Sequence, residues 1–207
     1  MNQLSSEVYR ARELLQKRGS SALASVALEG LKGRLTELSS SGDHAAISLA
    51  VRLVASCHAG GEPAAWVWGQ KSLFYPPDAA RWGVDWGALA LVQARDSGSA
   101  GRAADKLLRS GAFGLVVVDL FDRPALPPAL LGRLLHLAER HESGVVFLTT
   151  SLASSQSISA LISLRILASW TEVRPERLSA EFRVIKDKRR GPGESIKESY
   201  YGPLGLR

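Results

Sequence analysis

The stretch Gly114-Leu115-Val116-Val117-Val118-Asp119-Leu120 governs the expected fold. Four apolar residues run into an aspartate, and a helix-like stretch follows after a short break. A short apolar run bounded by turn signals reads as a buried strand of a parallel sheet. A carboxylate at the C-terminal tip of such a strand stands where open α/β sheets bind their ligands, and in nucleotide-hydrolysing folds that position holds Mg²⁺. The plainer reading is a carboxylate that ends a core strand and caps a loop.

Upstream, residues 34–38 read as a strand and residues 39–43 as a turn. A helix over residues 43–59 follows, with Asp43 as N-cap and Ile47, Leu49, Val51, Leu53 and Val54 toward the core. Gly60-Gly61 closes it. Ala64-Ala65-Trp66-Val67-Trp68 is the next strand, so residues 34–68 predict one βαβ unit. Pro76-Pro77 starts a short helix that ends near Trp82-Gly83. Residues 89–92 form a strand, and residues 99–110 a helix with Ala103, Leu107 and Leu108 inward. Residues 113–120 are the opening strand, and a helix runs from Pro127 or Pro128 through His141. Gly144 to Thr150 is again a strand. Strands alternating with helices at this spacing predict an α/β fold with a wound, mainly parallel sheet.

Beyond residue 150 the rhythm changes. Residues 154–163 read as a helix. Residues 164–173 and 180–188 alternate apolar and polar, the pattern of antiparallel strands with one solvated face, joined by a turn at Arg174-Pro175-Glu176-Arg177. Ser195 to Tyr201 adds a last strand. At the other end, residues 1–18 place Leu4, Val8, Ala11, Leu14 and Leu15 at helical steps, capped by Ser5 or Ser6 and ended by Gly19-Ser20-Ser21. The expected organisation is an N-terminal helix and link over residues 1–19, then a core domain over residues 20–207 with a basic C-terminal segment.

A length of 207 residues with 45% hydrophobic content suits one α/β domain. No apolar run reaches the roughly 18 residues of a membrane span. The polar N-terminus predicts no signal peptide and a cytoplasmic location. A single cysteine, Cys57, excludes an internal disulfide and a cysteine metal cluster. It lies on an apolar helix beside His58 and reads as a buried structural thiol. His136 and His141 are five apart, not the i, i+4 spacing of a zinc-binding pair, and no metal is expected. The net charge of +6 allows an anionic partner, either DNA or an acidic protein surface. Of Trp66, Trp68, Trp82, Trp86 and Trp170, some belong to the core. Trp82 and Trp86 flank a turn and read as anchors for a protein partner, with base stacking as the alternative.

The order of elements resembles the RecA recombinase core over residues 20–203. Three stretches carry the resemblance: Ala79-Ala80-Arg81-Trp82-Gly83-Val84-Asp85 before a strand, Leu108-Arg109-Ser110-Gly111-Ala112 before Val116-Val117-Val118-Asp119, and Val184-Ile185-Lys186-Asp187-Lys188 before Pro192. The resemblance implies an ATP loop after the strand at residues 34–38. A working loop reads G-x-x-x-x-G-K-[ST], in which backbone amides wrap the phosphates, the lysine neutralises charge and the hydroxyl holds Mg²⁺. Here Ser40 and Ala45 stand for the glycines, Ala46 for the lysine and Ile47 for the hydroxyl. Asp43 would set a negative charge where phosphate should bind. No lysine occurs between Lys32 and Lys71. The family's general-base glutamate falls at Gly69-Gln70-Lys71-Ser72 and its sensor glutamine at Thr149-Thr150. Its mobile DNA-binding loops look shortened. Asp119 is the residual strand-end carboxylate, so no cofactor and no catalytic residue are expected.

Lys186 and Lys188 resemble two lysines that, in the recombinase filaments, reach the neighbouring subunit's ATP. With Arg189, Arg190, Trp82 and Trp86 they are the candidate partner-binding residues. Among RecA-like proteins without an ATP site, the small size and the segment from Trp66 to Tyr75-Pro76-Pro77 look like the ImuA family, accessory factors of SOS mutagenesis. That resemblance implies a non-enzymatic adaptor. Its partners would be RecA and an ImuB-like protein, with an error-prone replicative-type DNA polymerase reached indirectly and DNA as a weaker partner. Three alternatives stand beside it: an ATPase with an atypical loop, a SulA-like cell-division inhibitor, and a plain DNA-binding module using the basic C-terminal region.

Overall fold

A computed structural model describes residues 28–41, 44–69, 79, 82–120, 126–174, 177–193 and 195–201, without the side chains of Arg177, Tyr200 and Tyr201. The expected N-terminal helix, Asp43, Gln70-Lys71-Ser72, the Pro76-Pro77 helix start, Arg81 and Pro175-Glu176 lie outside the described residues.

The strands are β1 (Arg34–Ser40), β2 (Ala64–Trp68), β3 (Leu89–Gln93), β4 (Leu115–Asp119), β5 (Gly144–Thr150), β6 (Leu164–Val173), β7 (Arg177–Asp187) and β8 (Ser195–Tyr201). The helices are α1 (Leu28–Leu31), α2 (Ala45–Ala59), α3 (Ser97–Arg109) and α4 (Pro128–Arg140), with a 3₁₀ turn at Trp86–Ala88. Among the described residues the strands form one mixed sheet in the order β3-β2-β4-β5-β1-β6-β7-β8. The first six in that order are parallel, and β7 and β8 are antiparallel. No described helix is long and apolar enough to cross a membrane.

The opening stretch forms β4, buried along its whole length. Helices cover both faces, so neither face of the central strands meets water, and their sequences are near-continuous apolar runs. One core packs Leu38, Trp66, Val117, Val146 and Ile166 against α2; the other packs Leu35, Val67, Val116, Val118 and Phe147 against α3 and α4. Gly101 of α3 permits a close helix approach: a Cβ there would lie 2.5 Å from Leu130 Cδ2 of α4.

Several expectations need correction. Ser39 and Ser40 belong to β1, because they pair with Thr149 and Thr150 of β5. The predicted βαβ unit does not join neighbours: β5 and β4 lie between β1 and β2. The N-cap of α2 is His44, at φ 57°, a left-handed conformation in which histidine is more common than most side chains. Ile47 is only half-buried, packed at the margin of the core. α3 begins at Ser97 because Asp96 caps it, accepting from Ser99 N at 2.6 Å. Ala103 and Leu107 are half-buried, lining a groove beside Val92 of edge strand β3; the inward face is Ala100, Gly101, Ala104 and Leu108.

Residues 151–163 form turns, not a helix. They carry the chain from the C-terminal end of β5 back to the level of Thr36, where β6 starts. That return makes β6 parallel to β1, while its pairing with β7 is antiparallel, as the alternation of the two segments predicts. Its first half is buried and only its second half is partly solvated.

Candidate functional site

Two places could carry function, and the sheet order determines both. The first is the row of strand tips at β4, β5 and β1. Asp119 pairs with Leu148, and Thr150 with Ser40, so the three stretches that the recombinase resemblance aligns with nucleotide binding meet at one edge. Asp119 is buried at the end of β4, 3% exposed. Ser151 N donates to Ser40 O at 3.0 Å, closing β5 onto β1. Thr149 is buried and Thr150 exposed.

α2 starts beside this row. Ala45 and Ala46 are buried in the core, 0% and 3% exposed. The position aligned with the phosphate-binding lysine is therefore a methyl packed against Leu49 and its neighbours, with no cation for a triphosphate. Ile47 can supply no hydroxyl.

The second place is the C-terminal end of β7 and the segment 151–163 that faces it. A β-bulge sets its geometry. Ile166 opposes Val184 but Arg165 opposes Lys186, so Ile185 is an extra residue. Bulges re-aim side chains. Phe182 and Val184 face the α2 core, and regular alternation would send Lys186 the same way. The extra residue turns Lys186 to the opposite face, beside Arg165 and Glu37.

Glu37 and Arg165 are buried, 0% and 2% exposed, with Arg165 Nε 3.7 Å from Glu37 Oε1. Buried charges persist when paired and fully hydrogen-bonded. Glu37 accepts from Thr149 Oγ1 at 3.0 Å and from Ile158 N at 3.1 Å. Arg165 donates to Ser151 Oγ at 2.8 Å, to Leu152 O at 2.9 Å and to Ser155 O. The pair thus pins residues 151–158 to the sheet, and it engages Ser155 O and Ile158 N, a carbonyl and an amide that the expected helix would use.

A second buried pair lies beneath. Arg34 Nη2 donates to Asp187 Oδ1 at 2.8 Å, Arg34 Nε to Ser163 Oγ at 2.8 Å, and Arg34 Nη1 to Gly30 O at 3.2 Å. Asp187 also accepts from Arg189 N at 2.8 Å. Burial works to raise the Asp187 carboxyl, but the Arg34 hydrogen bond and the Arg189 and Arg190 amides outweigh it, and the carboxyl sits below its ordinary range. Burial chiefly lowers the Arg34 guanidinium's hold on its proton, against the pull of Asp187.

The basic candidates gather here. Lys188 is exposed, and its Nζ donates to Ala160 O at 2.8 Å. Arg189 reaches Lys32 O and Gly33 O at 3.2–3.3 Å, so it ties β7 to the turn before β1. Arg190 is exposed beside it. Burial, and then the neighbouring Lys188 charge, lower the Lys186 ammonium below its ordinary range.

Trp82 and Trp86 do not join this cluster. They lie by edge strand β3, with five strands between it and β7. Trp82 packs on the α2 core, while Trp86 is 40% exposed at the head of the 3₁₀ turn. Cys57 is buried, donating its thiol to Glu62 O at 3.3 Å, and burial pushes that thiol up to about 12. The residues that sequence reasoning passed over are Glu37, Arg165 and Arg34. The available signal was a charge inside an apolar strand: Glu37 before Leu38, and Arg165 between Leu164 and Ile166.

No protein-family model and no curated protein sequence matches the chain.

Proposed function

We propose that the chain is a non-catalytic RecA-like adaptor of SOS-induced mutagenic translesion synthesis that docks on a RecA filament or an ImuB-like protein through its basic β7 edge. One observation carries the reading. The tips of β4, β5 and β1 lie side by side, as a nucleotide site on this kind of sheet requires, yet the groups at them are Asp119, Thr149, Ser40 and the buried methyls of Ala45 and Ala46. A triphosphate needs cations and free amides at such a helix start. On this reading the chain keeps a RecA-like fold without that chemistry among the described residues of the helix start.

The remaining charge supports a docking role. Lys188, Arg189 and Arg190 follow one another at the exposed end of β7, and the one acid among them, Asp187, is internally paired with Arg34. A net positive edge attracts an acidic partner surface and speeds encounter with it. The segment where the recombinases carry a mobile DNA-binding loop is pinned by Glu37 and Arg165, which favours a protein partner over DNA.

Titration calorimetry with Mg²⁺-ATP tests the central element. The adaptor reading expects no binding heat with nucleotide up to millimolar concentration, and no turnover. Micromolar binding with hydrolysis would replace it with an atypical ATPase.

A further inference from the structure

The outer seam between α3 and α4 gathers cations around one buried acid. Asp105 of α3, 8% exposed, lies where the two helices meet. Arg109 Nε donates to its Oδ2 at 2.9 Å, and Arg133 Nε of α4 lies 2.6 Å from its Oδ1. Both arginine side chains are nevertheless half exposed, at 57% and 50%. Each guanidinium turns its Nε inward and leaves its terminal Nη pair outward, and among the described residues no other carboxylate or carbonyl bonds either one. Lys106 and Arg140 are exposed on neighbouring turns. Asp105 is the only acid of α3 and Glu139 the only acid of α4. Glu139 lies beside Gly33 at the start of β1, on the flank turned away from α3. One buried carboxylate therefore faces four cations. Joining the helices needs only Arg133 on Asp105; Arg109, Lys106 and Arg140 bond nothing on the facing helix among the described residues.

The number and spacing of the cations distinguish between anionic partners. A DNA duplex carries one charge for about every 1.7 Å of its length, far more than four cations can meet. Neither helix has a phenylalanine, tyrosine or tryptophan on which a single-stranded base could stack. An acidic helix fits better. Arg133 and Arg140 are seven residues apart, about 10 Å along α4, and carboxylates two turns apart on a facing helix repeat at the same distance. A guanidinium fork already oriented through its Nε offers a carboxylate two parallel hydrogen bonds with little ordering left to do. We propose that the α3–α4 seam docks an acidic helix of a protein partner, with Arg109 and Arg133 as paired forks and Lys106 and Arg140 as flanking charges. The proposal uses only this seam and does not depend on the adaptor reading.

The test is a ¹H–¹⁵N NMR titration of the full chain, at low salt, with a synthetic alanine-based helical peptide that carries its glutamates along one face. The expected result is saturable shifts confined to residues 102–110 and 132–140, weakening as salt is raised. Lys106→Gln/Arg140→Gln removes two exposed charges that hold nothing in the fold, and should weaken binding by about fivefold or more, the effect of two exposed ion pairs. Arg109→Lys/Arg133→Lys keeps a cation on each side of Asp105 but removes both forks, and should weaken binding by about threefold or more while circular dichroism shows the fold intact. Lys197→Gln, an exposed charge on β8, should leave it unchanged. Equal binding of a peptide of the same composition with its glutamates spread around the helix would overturn the proposal. So would shifts spread over all exposed lysines and arginines, or no saturation by millimolar peptide. Tighter binding of a twelve-residue oligothymidylate at the same residues would replace the acidic helix with a nucleic acid. Because this readout involves neither RecA nor an ImuB-like protein, nor the β7 lysines, its failure leaves the adaptor reading standing, and the converse holds.

Discussion

Replacing Arg165 with methionine removes the charge that organises residues 151–158 while keeping much of the stem volume. Arg165 and Glu37 are both almost wholly buried, so solvent screens their attraction little. At 3.7 Å and an effective dielectric near 20, the pair attracts by about 4 kcal/mol before desolvation is counted. Without Arg165, Glu37 is left buried and uncompensated, and Leu152 O, Ser155 O and Ser151 Oγ lose their donor. Breaking one side of a buried pair costs about 3–5 kcal/mol. For a chain of this size that lowers Tm by about 6–20 °C. By contrast, the exposed Arg174–Glu172 pair is worth at most about 1 kcal/mol. Urea unfolding followed by circular dichroism gives the number, and hydrogen exchange at the Ile158 amide, which donates to Glu37, gives the location. Glu37→Gln with Arg165→Met should lose less than the sum of the single changes, by at least about 1 kcal/mol, because no lone charge remains. A loss below about 1 kcal/mol for Arg165→Met, with Ile158 still protected, would refute the view that this pair holds the segment.

Three further outcomes follow from the geometry. Asp187 is held below its ordinary carboxyl range, so its contribution is fully present above the unfolded value near pH 4 and is lost as pH falls through the lower folded value; the stability gap between the wild type and Asp187→Asn, read from urea midpoints, should narrow below about pH 4, and a constant gap would contradict the assignment. Gly101→Ala sets about 1 kcal/mol of helix propensity against overpacking of about 1–3 kcal/mol on Leu130 at 2.5 Å, so thermal unfolding should show a net loss, and a rise in Tm would show that α4 yields freely. The Cys57 thiol, buried and pushed up to about 12, should resist a disulfide reagent at pH 8 until denaturant is added, and rapid labelling of the native chain would contradict its burial.

The parts of the fold that could be read from sequence are those whose chemistry is local. β4, β5 and β8 follow the pattern rules, and α4 starts at the expected prolines. The antiparallel pairing of β6 with β7 was readable from their alternation, but the parallel pairing of β6 with β1 was not, because the return of residues 151–163 determines it. Residues 154–163 read as a helix in the sequence, yet their many serines compete for backbone groups, and Arg165 and Glu37 hold Ser155 O and Ile158 N. The site was half legible. Lys186 and Lys188 were visible as charges, but Val184-to-Lys186 alternation gives the wrong face, since a bulge is a property of two paired strands and not of one. Trp82 is half-buried and packs on the α2 core, a contact that its place beside a turn did not reveal.

The adaptor reading meets its most direct test in cosedimentation with RecA filaments assembled on single-stranded DNA, comparing the wild type with Lys186→Ala/Lys188→Ala. The account predicts that the wild type pellets with the filament and the double variant, folded by circular dichroism, stays in the supernatant. Equal pelleting of the two, or no pelleting of the wild type, would contradict it.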